Sequence, residues 1–233
     1  MSYKKRLDGR AIDELRPMEA KAGVIPNAAG SAYFKIGKTM CYAAVYGPRE
    51  LFPKFLQDPQ KGLLRCHYSM MAFSGSGEII RPGNNRIAQE ISMVMTSALE
   101  PVVDLTSCPN AVVDIFVDLP QTDAGTRCAA ISAAAIALAD AGIPMKDMIS
   151  SVAVGQVDGL VVADLMYDEE AYEGIVSDIP VAVMHNTKEI TLLQMDGEIS
   201  KADLMKALEL AATVTEKVYE VQKKALKEKF TSD

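Results

Sequence analysis

The chain has 233 residues, a formal net charge of −7, 49% hydrophobic residues and 24% charged residues. That length suits one large domain or two small ones, and the balance excludes a disordered polymer, a collagen-like repeat and a disulfide-stapled miniprotein. The acidic balance also excludes a protein coated in basic charge, but it leaves room for a local cationic channel that could hold phosphates.

The first half reads mainly as strands. Met18–Val24 alternates weakly, and Ser31–Ile36 and Thr39–Tyr46 flank Gly37-Lys38, a tight hairpin turn. Gly47-Pro48 is expected to stop the second of these strands. Leu51–Gly62 reads as a loop, Leu63–Ala72 as a strand, and Ser74–Gly83 as an exposed loop. A helix is predicted from Asn84-Asn85, with Asn as its cap and Ile87, Ile91, Val94, Met95, Ala98 and Leu99 at helical spacing up to Pro101. Val112–Leu119 is a strand, and Cys128–Ala141 is an Ala-rich helix stopped by Gly142. Ser151–Val154 and Leu160–Leu165 flank a turn over residues 155–159. An acidic loop from Tyr167 to Ser177 precedes the strands Ile179–Met184 and Ile190–Met195. Asp196-Gly197 turns into a long amphipathic helix over Ser200–Lys229, with Ser200 and Asp203 approximating a capping box. This order predicts an α+β fold with helices packed on mixed or antiparallel sheet.

Cys41, Cys66, Cys108 and Cys128 form no CxxC pair, and with only His67 and His185 besides, no zinc spacing can be built. Four reduced thiols in a cytoplasmic protein are expected. No apolar signal core follows Lys4-Lys5-Arg6, and the longest apolar run, near Ala129–Ala139, is too short to cross a bilayer.

Three places carry potential chemistry. In the first, an apolar strand ends, a Gly-containing turn follows, and a small-residue helix begins at Gly125-Thr126-Arg127. Free N–H groups at a helix N-terminus, a close backbone, a hydroxyl and a permanently charged fork together suit an anion. On spacing alone a plain strand-to-helix turn is the better reading, since the segment is neither a Walker loop nor a GxGxxG. The second place is the acidic set Asp168, Glu169, Glu170, Glu173 and Asp178, which could hold magnesium or act as general acid, or form a solvated loop. The third is Arg65, His67, Arg81 and Arg86. Arg65 and His67 face one side of a strand, and the set could line a channel for a single-stranded backbone or be scattered surface charge.

An ordered series of motifs raises all three. Leu7-Asp8-Gly9-Arg10, Glu14-Leu15-Arg16, Gly30-Ser31-Ala32 and the stretch Val45-Tyr46-Gly47-Pro48-Arg49-Glu50 are followed by Leu138-Ala139-Asp140-Ala141-Gly142-Ile143-Pro144-Met145 and Ala153-Val154-Gly155. The series, spanning about Lys5 to Lys229, resembles the RNase PH family, most closely the branch that supplies catalytic subunits to the archaeal exosome. The resemblance implies the ribosomal protein S5 domain 2-like fold as one domain, with an N-terminal half over 5–145 and a C-terminal half over 146–229. It implies a hexameric ring with non-catalytic RNase PH-like relatives, RNA-binding cap subunits, and 3′→5′ phosphorolysis of single-stranded RNA ends with the reverse tailing reaction. It implies inorganic phosphate as co-substrate at Gly125, Thr126 and Arg127. RNA backbone contacts would fall at Arg65, His67 and Arg86, and catalysis with Mg2+ binding at Asp178 and Glu170.

Three positions depart from the family pattern. Ile87 stands where relatives carry a second adjacent arginine that helps bind phosphate. Glu170 stands where they carry the other catalytic aspartate, and His67 where they often carry arginine. An active phosphorolytic subunit is favoured by the intact turn and Asp178. A ring subunit that binds RNA and partners with weakened or lost chemistry is favoured by Ile87 and Glu170. A stand-alone tRNA-trimming enzyme fits the Tyr46-Gly47-Pro48 and Ile143-Pro144-Met145 stretches less well.

Overall fold

The computed structural model describes residues 3, 5–75 and 85–231. Most of the loop expected at Ser74–Gly83, with Arg81 and Asn84, lies outside the described residues. Strands β1 (Met18–Ala22), β2 (Gly30–Ile36), β3 (Thr39–Glu50), β4 (Leu63–Met70) and β5 (Ala111–Gln121) form one sheet in the order β1-β2-β3-β5-β4. Its pairs are antiparallel except β4–β5, which is parallel. The parallel pair needs a crossover, and helix α1 (Arg86–Leu99) supplies it. Asn85 caps α1, its side chain accepting the Ala88 N–H at 2.7 Å. The hydroxyls of Thr96 and Ser92 accept the N–H groups of Cys66 and Tyr68 at 3.2 and 2.9 Å, so α1 also closes the open edge of β4.

Gly47-Pro48 does not end β3. The register to β5 shifts between Tyr46 and Arg49, and pairing resumes at Arg49↔Val112 and Glu50↔Ala111. A bulge accommodates the residue without an N–H, and the strand continues beyond it.

The second sheet holds β6 (Ile149–Val157), β7 (Leu160–Ala163), β8 (Val176–Met184), β9 (Ile190–Leu193) and β10 (Asp196–Gly197). Its order is β10-β8-β6-β7, with β9 also on β8. The β6–β7 turn is tighter than the sequence suggests. Asp158 and Gly159 both take positive φ, 47° and 89°, as a two-residue hairpin turn requires, and Gly155–Val157 stay in β6.

Helix α2 (Thr126–Asp140) lies between the sheets, against β2 and β3 on one side and β6 on the other. All its residues from Cys128 to Leu138 are buried. Small side chains let two sheets close on one helix, and Gly30 shows how tightly: a Cβ there would come within 2.1 Å of the Ala141 nitrogen. Strand β6 is buried at every position because α2 covers one face and α4 (Lys201–Thr231) the other. Ser151 faces Ser132 of α2, while Val152 and Val154 pack with Ala207, Ala211 and Val214 of α4. Ser200 caps α4, accepting the Asp203 N–H at 3.1 Å.

The acidic loop expected from Tyr167 to Ser177 is broken at both ends. It begins with a one-turn helix, α3 (Tyr167–Glu170), stabilised by the Met166 N–H donating to the Glu169 carboxylate at 3.1 Å, and Val176 and Ser177 already belong to β8. Among the described residues no helix is long and apolar enough to cross a membrane.

Candidate active site

The sheet carries the chain into α2 through a turn held from behind. Thr39 Oγ1 donates to the Ala124 carbonyl and accepts the Asp123 N–H, both at 3.0 Å. Gly125 then takes the left-handed conformation, φ 68°, as the residue before the helix. The helix therefore starts at Thr126, two residues earlier than the composition suggests, and Thr126 and Arg127 lie in its first turn, where N–H groups lack intrahelical acceptors.

Opposite this turn stand Glu170, last residue of α3, and Asp178 on β8. Together with Asp123, Ala124, Cys128 and Pro180 the five residues Gly125, Thr126, Arg127, Glu170 and Asp178 line a pocket of about 110 Å³. An adjoining cavity of about 320 Å³ shares Arg127, Glu170 and Asp178 and adds Val176, Asp196 and Gly197. Among the described residues, two polar atoms here are buried without a partner, Arg127 Nε and Asp178 Oδ1. Arg127 Nη2 donates to the Glu90 carboxylate of α1 at 3.3 Å.

Burial, then the nearby Asp178, pushes the Glu170 carboxyl from its ordinary 4.5 up to about 7, with Arg16 and Arg127 pulling the other way. Burial also raises Asp178 to about 6. Arg127 opposes that rise, and Asp196, its cross-strand partner on β10, adds to it. The site thus faces a fixed cation and a helix N-terminus with two carboxyl groups that exchange protons near neutral pH. Among the described residues, no three His, Cys, Asp or Glu side chains gather closely enough to hold a metal ion by themselves.

The rest of the acidic set points elsewhere. Glu169 is fully buried and held by Arg6 at 2.7 Å and by the Tyr3 hydroxyl at 2.8 Å. Asp168 and Glu173 line cavities beyond the site. Arg65 and His67 share the outer face of the first sheet, as their spacing predicts, but both are drawn to a carboxylate. Asp114 of β5, buried in the sheet, binds Arg65 at 2.7 Å and Arg49 at 2.5 Å, with His67 at 3.7 Å. Burial raises the Asp114 carboxyl, but the two guanidiniums outweigh it and hold it below the usual range. His67 stacks on Phe116 with centroids 4.7 Å apart. Arg86 is exposed at the start of α1, one turn before Glu90 and therefore on the helix stripe that meets Arg127. Ile87, also exposed, lies three residues before Glu90.

Sequence reasoning missed Asp123, Asp196, Arg49 and Asp114. A carboxylate inside an apolar strand marks Asp114 as a residue needing cationic partners. Asp196 carried no such signal, because Asp-Gly reads as a turn and its pairing with Asp178 depends on a two-residue strand.

A pocket of about 110 Å³ at a helix N-terminus, lined by an arginine and two carboxyls on a two-sheet scaffold, has the chemistry of an enzyme that handles small anions. The model for domain 1 of the 3′ exoribonuclease (RNase PH) family matches residues 14–144 and that for domain 2 matches residues 147–214, so the chain belongs to the RNase PH family of 3′ exoribonucleases. It is 48% identical to the exosome complex component Rrp41 of Thermococcus kodakarensis, over 97% of this chain and 90% of that one. It is 43% identical to the Rrp41 of Nitrosopumilus maritimus, over 97% of this chain and 91% of the relative. Rice Rrp46, a crystal structure, superposes with a TM-score of 0.83 at 25% identity, covering 95% of this chain and all of that one. The chain thus has the RNase PH-type fold.

Proposed function

We propose that the chain is the phosphorolytic subunit of an exosome-type ring, shortening RNA from its 3′ end and releasing nucleoside diphosphates. The observation that carries this reading is that Arg127 and Asp178, which line one small pocket, each carry a buried polar atom, Nε and Oδ1, without a hydrogen-bond partner among the described residues. Buried groups of this kind usually have partners, and a bound phosphate supplies acceptors to one and a shared proton to the other. In the reaction, orthophosphate held by the Gly125–Arg127 turn attacks the terminal phosphodiester. The bond to the 3′ oxygen of the shortened chain breaks, a new P–O bond forms to the attacking phosphate, and the leaving oxygen takes a proton from the Glu170–Asp178 pair.

Glu170 and Asp178 also suit Mg2+, which would bind through whichever of the two is ionised, with substrate phosphates and water completing its shell, while the other keeps the proton. Bound there, the ion would neutralise charge on the transferring phosphoryl group. Arg65, His67 and Arg86 are the proposed contacts to the RNA backbone. The remaining assignments are a single domain with halves at 5–145 and 146–229, a ring shared with a non-catalytic RNase PH-like subunit, RNA-binding caps, and a cytoplasmic location. They rest on the similarity to Rrp41 proteins.

The alternative, a ring subunit that binds RNA without chemistry, is favoured by one observation: with Ile87 in place of a second arginine, Arg127 is the sole side-chain cation lining the pocket among the described residues. Primer extension separates the two readings. With ADP, Mg2+ and a short oligoadenylate, the assembled ring is expected to lengthen the primer and release phosphate. A ring that binds the primer but leaves its length unchanged would establish the scaffold instead.

A further inference from the structure

The motifs Leu7-Asp8-Gly9-Arg10 and Glu14-Leu15-Arg16 contribute nothing to the pocket lining, yet they bury cations directly behind it. Arg6 and Arg16 are 3% and 6% exposed. Arg16 grips Asp164 through its backbone N–H at 2.7 Å, Nε at 2.9 Å and Nη2 at 2.7 Å. From there it reaches the phosphate turn itself, Nη1 donating to Asp123 at 3.1 Å and Nη2 to the Ala124 carbonyl at 3.2 Å. Arg6 holds the other side of the pocket. It binds Glu169, the neighbour of Glu170, through Nε at 2.9 Å and Nη2 at 2.7 Å, and donates to the carbonyls of Ala163 and Asp164 at 2.7 and 2.8 Å. Arg10 adds the Asp164 carbonyl at 3.1 Å and its carboxylate at 3.3 Å.

Asp164 is therefore a hub. It sits at the end of β7, just before α3, with φ 53°, a left-handed conformation that side chains adopt at some cost and keep only where the surroundings hold them. Its carboxylate is tied to the segment that holds the phosphate turn, and its carbonyl to the segment that holds α3. Planar guanidinium groups with several fixed donors suit this task, because each one ties separate elements in one geometry.

We propose that residues 6–16 form a positioning strap: Arg16 fixes the phosphate turn, Arg6 fixes the helical turn that carries Glu170, and Asp164 couples the two. The separation between bound phosphate and the proton-holding carboxyls is then set by the N-terminal segment, and neither arginine touches substrate. This rests on the phosphorolytic reading above. It predicts opposite kinetic signatures for the two arginines, because each positions a different reactant.

The test uses the assembled ring. Arg16→Lys keeps the charge but cannot reach Asp164, Asp123 and Ala124 together, and it should raise the KM for phosphate about tenfold with kcat changed less than threefold. The double variant Arg6→Met/Glu169→Gln removes a buried ion pair as a neutral unit. It should lower kcat about tenfold or more with the KM for phosphate unchanged. Asp123→Asn leaves Arg16 in place, weakening its Nη1 contact and the one from the Tyr167 N–H at 3.3 Å, and should shift the KM in the direction of Arg16→Lys, by less, if the larger changes prevent folding. Orthophosphate binding followed by 31P line broadening separates this inference from the functional reading. A ring that binds phosphate without phosphorolysis, and binds it about tenfold more weakly in Arg16→Lys, keeps the strap and discards the reaction. Thermal midpoints that fall while KM, kcat and phosphate affinity all hold would show that the strap only stabilises the fold. The same kinetic change from both arginines would overturn the division of labour.

Discussion

Glu170→Gln should make the protein more stable at alkaline pH while removing its chemistry. Burial and the neighbouring Asp178 hold the Glu170 carboxyl at about 7 against an ordinary 4.5. The folded protein therefore binds an extra proton between those values. Stability that is fully present below about pH 4.5 is lost as pH rises to about 7, because the unfolded chain ionises freely and the folded one does not. Ionising Glu170 in place therefore carries a penalty of about 3 kcal/mol, at about 1.4 kcal/mol for each tenfold change in proton affinity. Glutamine has the shape and no charge to bury, so it escapes that penalty. For a chain of this size about 3 kcal/mol corresponds to roughly 6–12 °C in unfolding temperature. The assay is thermal unfolding of wild type and variant in phosphate-free buffers from pH 5 to 8.5. Asp178 titrates in both proteins, so its contribution largely cancels from the difference. The carboxyls held low by arginine, such as Asp114, lose their contribution only at more acidic pH. The variant is expected to gain several degrees at pH 8 and much less at pH 5. An equal difference at both pH values, or a variant less stable at pH 8, would refute a protonated, desolvated Glu170.

Arg127→Met removes the cation whose Nε waits unpartnered in the pocket, and two charge-assisted bonds at about 1.5–3 kcal/mol each predict a hundredfold or larger rise in the KM for phosphate. Phosphate titration checks it, and a change within threefold would place the anion elsewhere. Ile87→Arg adds a second cation one turn before Glu90 and should lower the same KM about tenfold, read from phosphate titrations on the ring. Arg65→Ala should reduce the slope of log K against log salt for single-stranded RNA by about 0.7, the loss of one phosphate contact, with the phosphate KM unaffected. An unchanged slope would leave Arg65 with a structural role at Asp114.

The turn at Gly125–Arg127 is readable in the sequence because its parts are local: strand, Gly125, Thr126, Arg127 and a helix follow one another. The long helices and most strands are readable for the same reason, since period and caps such as Asn85 and Ser200 are local signals. The carboxylate side is not. Asp168, Glu169 and Glu170 look equivalent as three consecutive acids, but on one turn of helix they point about 100° apart. Glu170 meets the pocket, Glu169 is buried on Arg6, and Asp168 faces a separate cavity. Only the docking of α3 against the N-terminal segment makes that choice. Asp196 depends likewise on the register of β10 against β8, and the bulge at Gly47-Pro48 on pairing with β5, a strand more than sixty residues away. The cationic channel suggested by Arg65 and His67 has its charge divided by Asp114, whose burial follows from sheet order and not from its neighbours in sequence.

The most direct test of the central claim is the product released from 3′-labelled oligoadenylate by the assembled ring at varied orthophosphate. The account predicts labelled nucleoside diphosphate, appearing in proportion to phosphate at low concentration and absent without it, with release lost in Arg127→Met. Nucleoside monophosphate released without phosphate would mean that water is the nucleophile, and would contradict the assignment of the Gly125–Arg127 turn as the seat of the attacking group.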